Sequence, residues 1–131
     1  MRKKSTQRSE NLFNPGDVVA VDFPGVMGVK RRPAVVLSSV TYHKEHPDII
    51  VGLITSQSIA LSSTDCLIED WKKVGLRLPS VFRSFFVTLP PSSNPIFVGH
   101  LSDRDWKSVC FCVKMAFAPL DESKGSTTPT P

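Results

Sequence analysis

The sequence predicts a mainly β domain, a small barrel or strongly curved sheet carrying one C-terminal helix. Three observations lead there. Short apolar runs recur along the chain between Pro, Gly and Asn turn signals, as strands require. A helical periodicity is persuasive only once, between Ser102 and Leu120. A chain of 131 residues, 40% of them hydrophobic, suffices for one domain with a modest core.

Residues 1–11 are polar and basic, and 121–131 (DESKGSTTPTP) are rich in Ser, Thr and Pro. Neither end can bury enough surface to order itself, so disordered arms are expected around a single domain at 12–120. Within it, NPGD (14–17) is a turn signal. DVVAVDF then alternates Val19, Val21 and Phe23 against Val18, Ala20 and Asp22, the pattern of a first strand. PGVMGVK (24–30), with a proline and two glycines, reads as a mobile surface loop rather than continued pairing. PAVVLSS is the second strand, with Pro33 at its first position, where a missing N–H breaks no ladder.

VTYHKEHPD is polar and reads as a loop or a short helical turn. IIVGLITS (49–56) is the most apolar run and too short for a helix, hence a central strand. DCLIED (65–70) is a shorter strand, WKKVGLRLPS a turn region around Gly75, and SVFRSFFVTL a further β segment. PPSSNP breaks the chain before the short strand IFVGHL. Ser102 then opens the helix with Asp105 three residues on, a variant of the capping box, and Asp103 lies where the helix dipole favours negative charge. Trp106, Val109, Cys110, Val113 and Phe117 form the face expected to lie on the sheet, and Pro119 ends the helix.

The formal net charge of +4 is compatible with a polyanionic partner but mild. Three cysteines cannot form a closed set of pairs, and Cys110 and Cys112 point to different helix faces, so free thiols are expected. No apolar segment follows the basic N-terminus and no run approaches membrane-spanning length, so a soluble, cytoplasmic protein without a membrane partner is expected. Walker, GxGxxG, HExxH and CxxC patterns are absent, and His43, His46 and His100 lack ligand spacing. No metal and no cofactor are expected. His43 and His46 read as solvated loop residues.

What remains is the pairing of VKRRPAVVLSS (29–39) with LITSQ (53–57). Lys30, Arg31 and Arg32 abut Pro33, and Arg32, at the end of a loop beside a proline of fixed φ, is held close to a rigid strand. Thr55 and Ser56 place hydroxyls where the most apolar strand emerges. An arginine that forks onto phosphate oxygens, with hydroxyls beside it, suits phosphodiester chemistry. A solubilising basic turn and an ordinary strand end account for the same residue types.

GDVVAVDFPG, RRPAVVLSS, IIVGLITSQ, GLRLPSVFR and GHLSDRDWKSV, in this order from Phe13 to Val113, resemble the PemK/MazF family of toxin endoribonucleases from type II toxin–antitoxin systems. The resemblance implies an SH3-like small β-barrel with a C-terminal helix, a homodimer and a cognate antitoxin. It also implies metal-independent, sequence-specific cleavage of single-stranded RNA by attack of the 2′-OH on the adjacent phosphate, the activity of an mRNA interferase. On that reading Arg32 activates the phosphate, Thr55 and Ser56 position hydroxyls, and Lys30, Arg31, Gln57, Arg83 and Phe85 contact RNA. An acidic antitoxin segment would fold over the same surface. One stretch departs from the family: where some members carry a motif like SVVRCDQ, this chain has SVFRSFF, with Phe85 and Phe86 in polar places. That departure keeps an alternative open, a catalytically weak or inactive RNA- or protein-binding member of the fold, or a gyrase-targeting toxin.

Overall fold

A computed structural model of the chain describes residues 12–25, 28–56 and 61–119. The two expected terminal arms lie outside the described residues, as do Val26, Met27, Gln57 and Leu120. Six strands, β1 (Asp17–Gly25), β2 (Gly28–Val36), β3 (Ile49–Ser56), β4 (Cys66–Ile68), β5 (Ser80–Leu89) and β6 (Ile96–His100), form one sheet in the order β4-β5-β3-β2-β1-β6. Every neighbouring pair is antiparallel, and the sheet curls into a half-barrel. Three α-helices and a 3-10 turn (Pro91–Ser93) complete the described fold: α1 (Val40–Glu45), the single turn α2 (Trp71–Val74) and the C-terminal α3 (Asp103–Ala116). The mainly β class with a C-terminal helix is therefore the one the chain adopts, and IIVGLITS lies inside the sheet, between β2 and β5.

The curl explains why several strands are apolar on both faces. Val18, Val35, Ile54, Ile68 and Phe82 form one buried cluster with Val109 and Cys112 of α3. Val19, Val21, Phe23, Val36, Ile49 and Val51 form a second. Successive side chains of β1 thus enter different cores, as period-two alternation demands. Gly52 is required where β3 crosses β5, because a Cβ there would overlap the ring of Phe82.

Side-chain caps lock α1 and α3 in place. Tyr42 N donates to Ser39 Oγ at 3.0 Å at the start of α1, and Ser102 Oγ accepts from Asp105 N at 3.3 Å at the start of α3. Asp105 itself is buried, and its carboxylate accepts from the amides of Glu69 (2.9 Å) and Asp70 (2.8 Å). One residue thus fixes α3 to the turn between β4 and α2.

Four expectations are corrected. The described residues of PGVMGVK are strand rather than loop: β1 and β2 pair as far as Gly25↔Gly28, so Lys30, Arg31 and Arg32 are strand residues opposite Phe23, Asp22 and Val21. Pro33 is consequently interior to β2; it is tolerated because the ladder with β3 begins only at Ala34, leaving Pro33 in a stretch with one partner strand. On α3 the buried stripe is Asp105, Val109 and Cys112, flanked by Trp106 and Val113, while Cys110 is half-buried and Phe117 caps the helix, exposed but stacked on Phe86 at 5.1 Å. His43 is buried, not solvated: Nδ1 donates to the Phe13 carbonyl (2.7 Å), and Nε2 and the Ser38 hydroxyl share a hydrogen bond (2.5 Å). A carbonyl cannot donate, so Nδ1 carries the proton of that bond, and the network ties the chain entry to α1.

Candidate functional site

The register of the central strands builds the site. β2 and β3 pair at Val36↔Val51, Val35↔Gly52 and Ala34↔Leu53, and there the ladder stops. Continued in register, Arg32 would face Thr55. The strands part instead, and a cleft of about 310 Å³ opens where that pair would have met, lined by Arg31, Arg32, Thr55, Ser56 and Arg77 among others. Thr55 and Ser56 do not follow Arg32 because β5 holds them on the other side, through Thr55↔Val81 and Ser56↔Ser80.

Arg32 is half-buried and has no hydrogen-bond or ionic partner among the described residues. Arg31, by contrast, is committed: its Nη1 lies 2.9 Å from Asp22 Oδ1 and 3.3 Å from the Ser93 carbonyl. Of these two adjacent cations, Arg32 is the one available to a ligand. Thr55 Oγ1 is buried and likewise without a hydrogen-bond partner among the described residues. An orphaned hydroxyl whose residue lines a cleft shared with a free guanidinium is the kind of group that a bound anion satisfies.

Thr55 also lines a second cleft, of about 370 Å³, with Ser62, Thr64, Asp65, Arg83, Ser84 and Phe85. Arg83 Nε lies 3.2 Å from Asp65 Oδ2, close enough for an ion pair but too poorly aligned for a hydrogen bond. Phe85 is exposed, its ring 5.9 Å from that of Phe23. Phe86 faces the other way and packs at 6.5 Å from Phe82, so the two phenylalanines serve opposite faces as the alternation requires. Lys30 is exposed and lines neither cleft, and Gln57 lies outside the described residues.

The structure thus brings Arg31, Arg32, Thr55 and Ser56 to one cleft and Arg83 and Phe85 to its neighbour, with Thr55 common to both. Two participants escape sequence reasoning. Arg77, on the chain after α2, adds a third cation to the first cleft, and Asp65 reads as the start of a strand when it is a turn residue folded onto β5. The Ser62–Asp65 spacing of a side-chain-capped turn was the available signal for the latter. Neither cleft is lined by a histidine, and Asp65 is the one carboxylate lining them among the described residues. No trio of His, Cys, Asp or Glu among the described residues is arranged to hold a metal. Arginine and hydroxyl chemistry on an anion is what the arrangement offers.

A family described as PemK-like, MazF-like toxins of type II toxin–antitoxin systems matches residues 14–117. No curated protein matches the chain in direct sequence comparison. Among solved structures, MazF from Deinococcus radiodurans aligns with a TM-score of 0.66 at 17% identity, covering 82% of this chain and 97% of that one. An endoribonuclease in complex with its cognate antitoxin from a Mycobacterial species gives 0.66 at 13% identity, over 79% and 93% of the two chains. Mycobacterium tuberculosis toxin MazF-mt6 gives 0.58 at 20% identity, over 74% and 94%. At these identities the likeness to the solved structures is one of fold.

Proposed function

Since the chain belongs to the PemK-like, MazF-like toxins of type II toxin–antitoxin systems, we propose that it is a metal-independent, sequence-specific endoribonuclease cutting single-stranded RNA. The observation that carries this reading is the meeting of Arg32, Thr55 and Ser56 in one cleft, opened by the early end of the β2–β3 ladder. In the reaction the 2′-oxygen bonds to the adjacent phosphorus, the bond from phosphorus to the 5′-oxygen breaks, and the proton lost by the 2′-OH ends on the leaving oxygen. A 2′,3′-cyclic phosphate and a 5′-OH result, with no water consumed.

The Arg32 guanidinium, free of internal partners, neutralises the charge that builds on the phosphoryl oxygens. Thr55 Oγ1 and the Ser56 hydroxyl orient the reacting oxygens. Arg31 and Arg77 attract the backbone, Arg83 grips a neighbouring phosphate, and Phe85 offers a ring on which an unpaired base stacks. Lys30, exposed beside Arg31, adds a further cation for the RNA, and Gln57, outside the described residues, is proposed to contact it as well. A homodimer and a cognate antitoxin whose acidic segment covers the arginines complete the proposal; one neighbouring structure is described as holding its antitoxin.

The test is incubation with long single-stranded RNA in EDTA, beside the Arg32→Ala variant and an all-deoxy strand. Cuts at a short recurring sequence, ending in cyclic phosphate, are expected from the natural chain alone. Arg32→Ala should lower kcat/KM by about 10²–10³-fold, the size of a lost charge-stabilising donor. The exposed ring of Phe85, standing where some relatives carry a polar side chain, favours a second reading in which the groove binds RNA or a protein without cutting. A folded protein that cuts no RNA, or damages DNA only with gyrase present, would replace the first reading with that one.

A further inference from the structure

We propose that Asp65 is a positioning residue that aims Arg83 at the RNA backbone, an inference that rests on the ribonuclease reading above. The Asp65 side chain is 5% exposed. Its Oδ2 accepts from Ser62 Oγ (2.9 Å) and Ser62 N (3.2 Å), its Oδ1 accepts from Ser84 N (3.1 Å), and Arg83 Nε lies 3.2 Å from Oδ2. Ser84 Oγ donates to the Thr64 carbonyl, so the turn before β4 is laced to β5 on both sides of the carboxylate.

This anchoring has a directional result. A carboxylate fixed against the Nε side of a guanidinium leaves the far edge, Nη1 and Nη2, to fork onto two phosphate oxygens. Arg83 is 32% exposed on its side chain, and neither Nη has a partner among the described residues. Thr55 joins its cleft to that of Arg32, so a strand lying across Thr55 meets one guanidinium on each side.

Asp65 is not a general base. Burial would raise its carboxyl, but the Ser84 amide, the Ser62 hydroxyl and amide, and the Arg83 charge outweigh it and hold the group below its ordinary value. Both oxygens are already occupied. A fixed negative charge beside an RNA-binding arginine weakens attraction for a polyanion, and only a gain in orientation offsets that loss.

The two effects have opposite signs, which makes the inference testable. Cleavage kinetics on single-stranded RNA should show Asp65→Asn raising KM about tenfold with kcat changed less than about threefold. Arg83→Lys, which leaves the turn intact but lacks the fork, should raise KM by a similar factor. In an Arg83→Ala background, Asp65→Asn should add nothing, because both changes remove one interaction. A lower KM for Asp65→Asn would mean that the carboxylate merely drains charge from Arg83, and additive effects would mean that the residues act separately; either overturns the proposal.

An RNA-free measurement separates this from failure of the ribonuclease reading. The Arg83 Nε–H signal in a proton–nitrogen spectrum of the full chain should move on Asp65→Asn while the backbone amides beyond the turn stay in place. If that signal does not move, Asp65 does not position Arg83, whatever the chain does to RNA. If it moves while the natural chain cuts nothing, the positioning stands and the ribonuclease reading falls.

Discussion

Thr55 carries a conflict between stability and chemistry. Its Oγ1 is buried without a partner among the described residues, and an unsatisfied hydroxyl costs free energy that an isosteric methyl does not. Thr55→Val should therefore raise stability by about 1 kcal/mol in urea titration while lowering ribonuclease activity at least about tenfold. Loss of stability would mean that the hydroxyl has a partner in the folded chain. Gly52 makes the opposite case, since its lack of a side chain is purely a packing requirement against Phe82. Gly52→Ala should destabilise by about 1–3 kcal/mol, and Phe82→Leu in the same chain should recover part of that loss. Arg32 and Thr55 were legible as residue types and positions; that Arg31 is tied to Asp22 while Arg32 is not depends on a cross-strand neighbour that no local pattern displays.

At the scale of elements, α3 is held by its apolar stripe and also by carboxylates near its start. Asp70 accepts from Arg104 Nε (2.9 Å) and Nη2 (2.8 Å) and from Ser102 Oγ (2.6 Å). The Arg104 fork first, and then the Ser102 hydroxyl, hold its carboxyl far below the usual range. A depressed folded pKa contributes stability above the unfolded value of about 3.9, which is lost as pH falls from there toward the folded value. The urea midpoints of the natural chain and Asp70→Asn should thus differ by a constant amount from neutral pH to about pH 5 and converge below about pH 4. A gap undiminished at about pH 2.5 would sink the idea. Helix α3 could be read from its Ser102 cap and its period, but not its rotation. Cys112 rather than Cys110 faces the core because Asp105, fastened to the Glu69 and Asp70 amides, sets which stripe turns inward.

For the whole molecule, the excess of cations becomes meaningful through placement. Arg32 lies in one cleft and Arg83 in the next, so RNA affinity should fall with salt as counterions are released. Plotted against the logarithm of salt concentration, the affinity slope should shrink by about 0.7 on Arg32→Ala, one phosphate contact on a single strand. An unchanged slope would place Arg32 away from the backbone. No helix among the described residues is long and apolar enough to cross a membrane.

By itself the sequence determined the succession of strands along the chain, the single long helix with its cap, the central place of IIVGLITS, and the residue types able to handle a phosphodiester. These are properties of near neighbours, written in alternation, turn residues and caps within a few positions. The tertiary structure alone decided that the basic stretch is a strand rather than a loop and that β2 and β3 separate after Ala34 and Leu53. It decided also that His43 is buried between Phe13 and Ser38 and that Asp65 meets Arg83. Each of these depends on where pairing between distant segments stops. That limit is set by the curl of the whole sheet and the two cores it encloses, which no single stretch of residues contains.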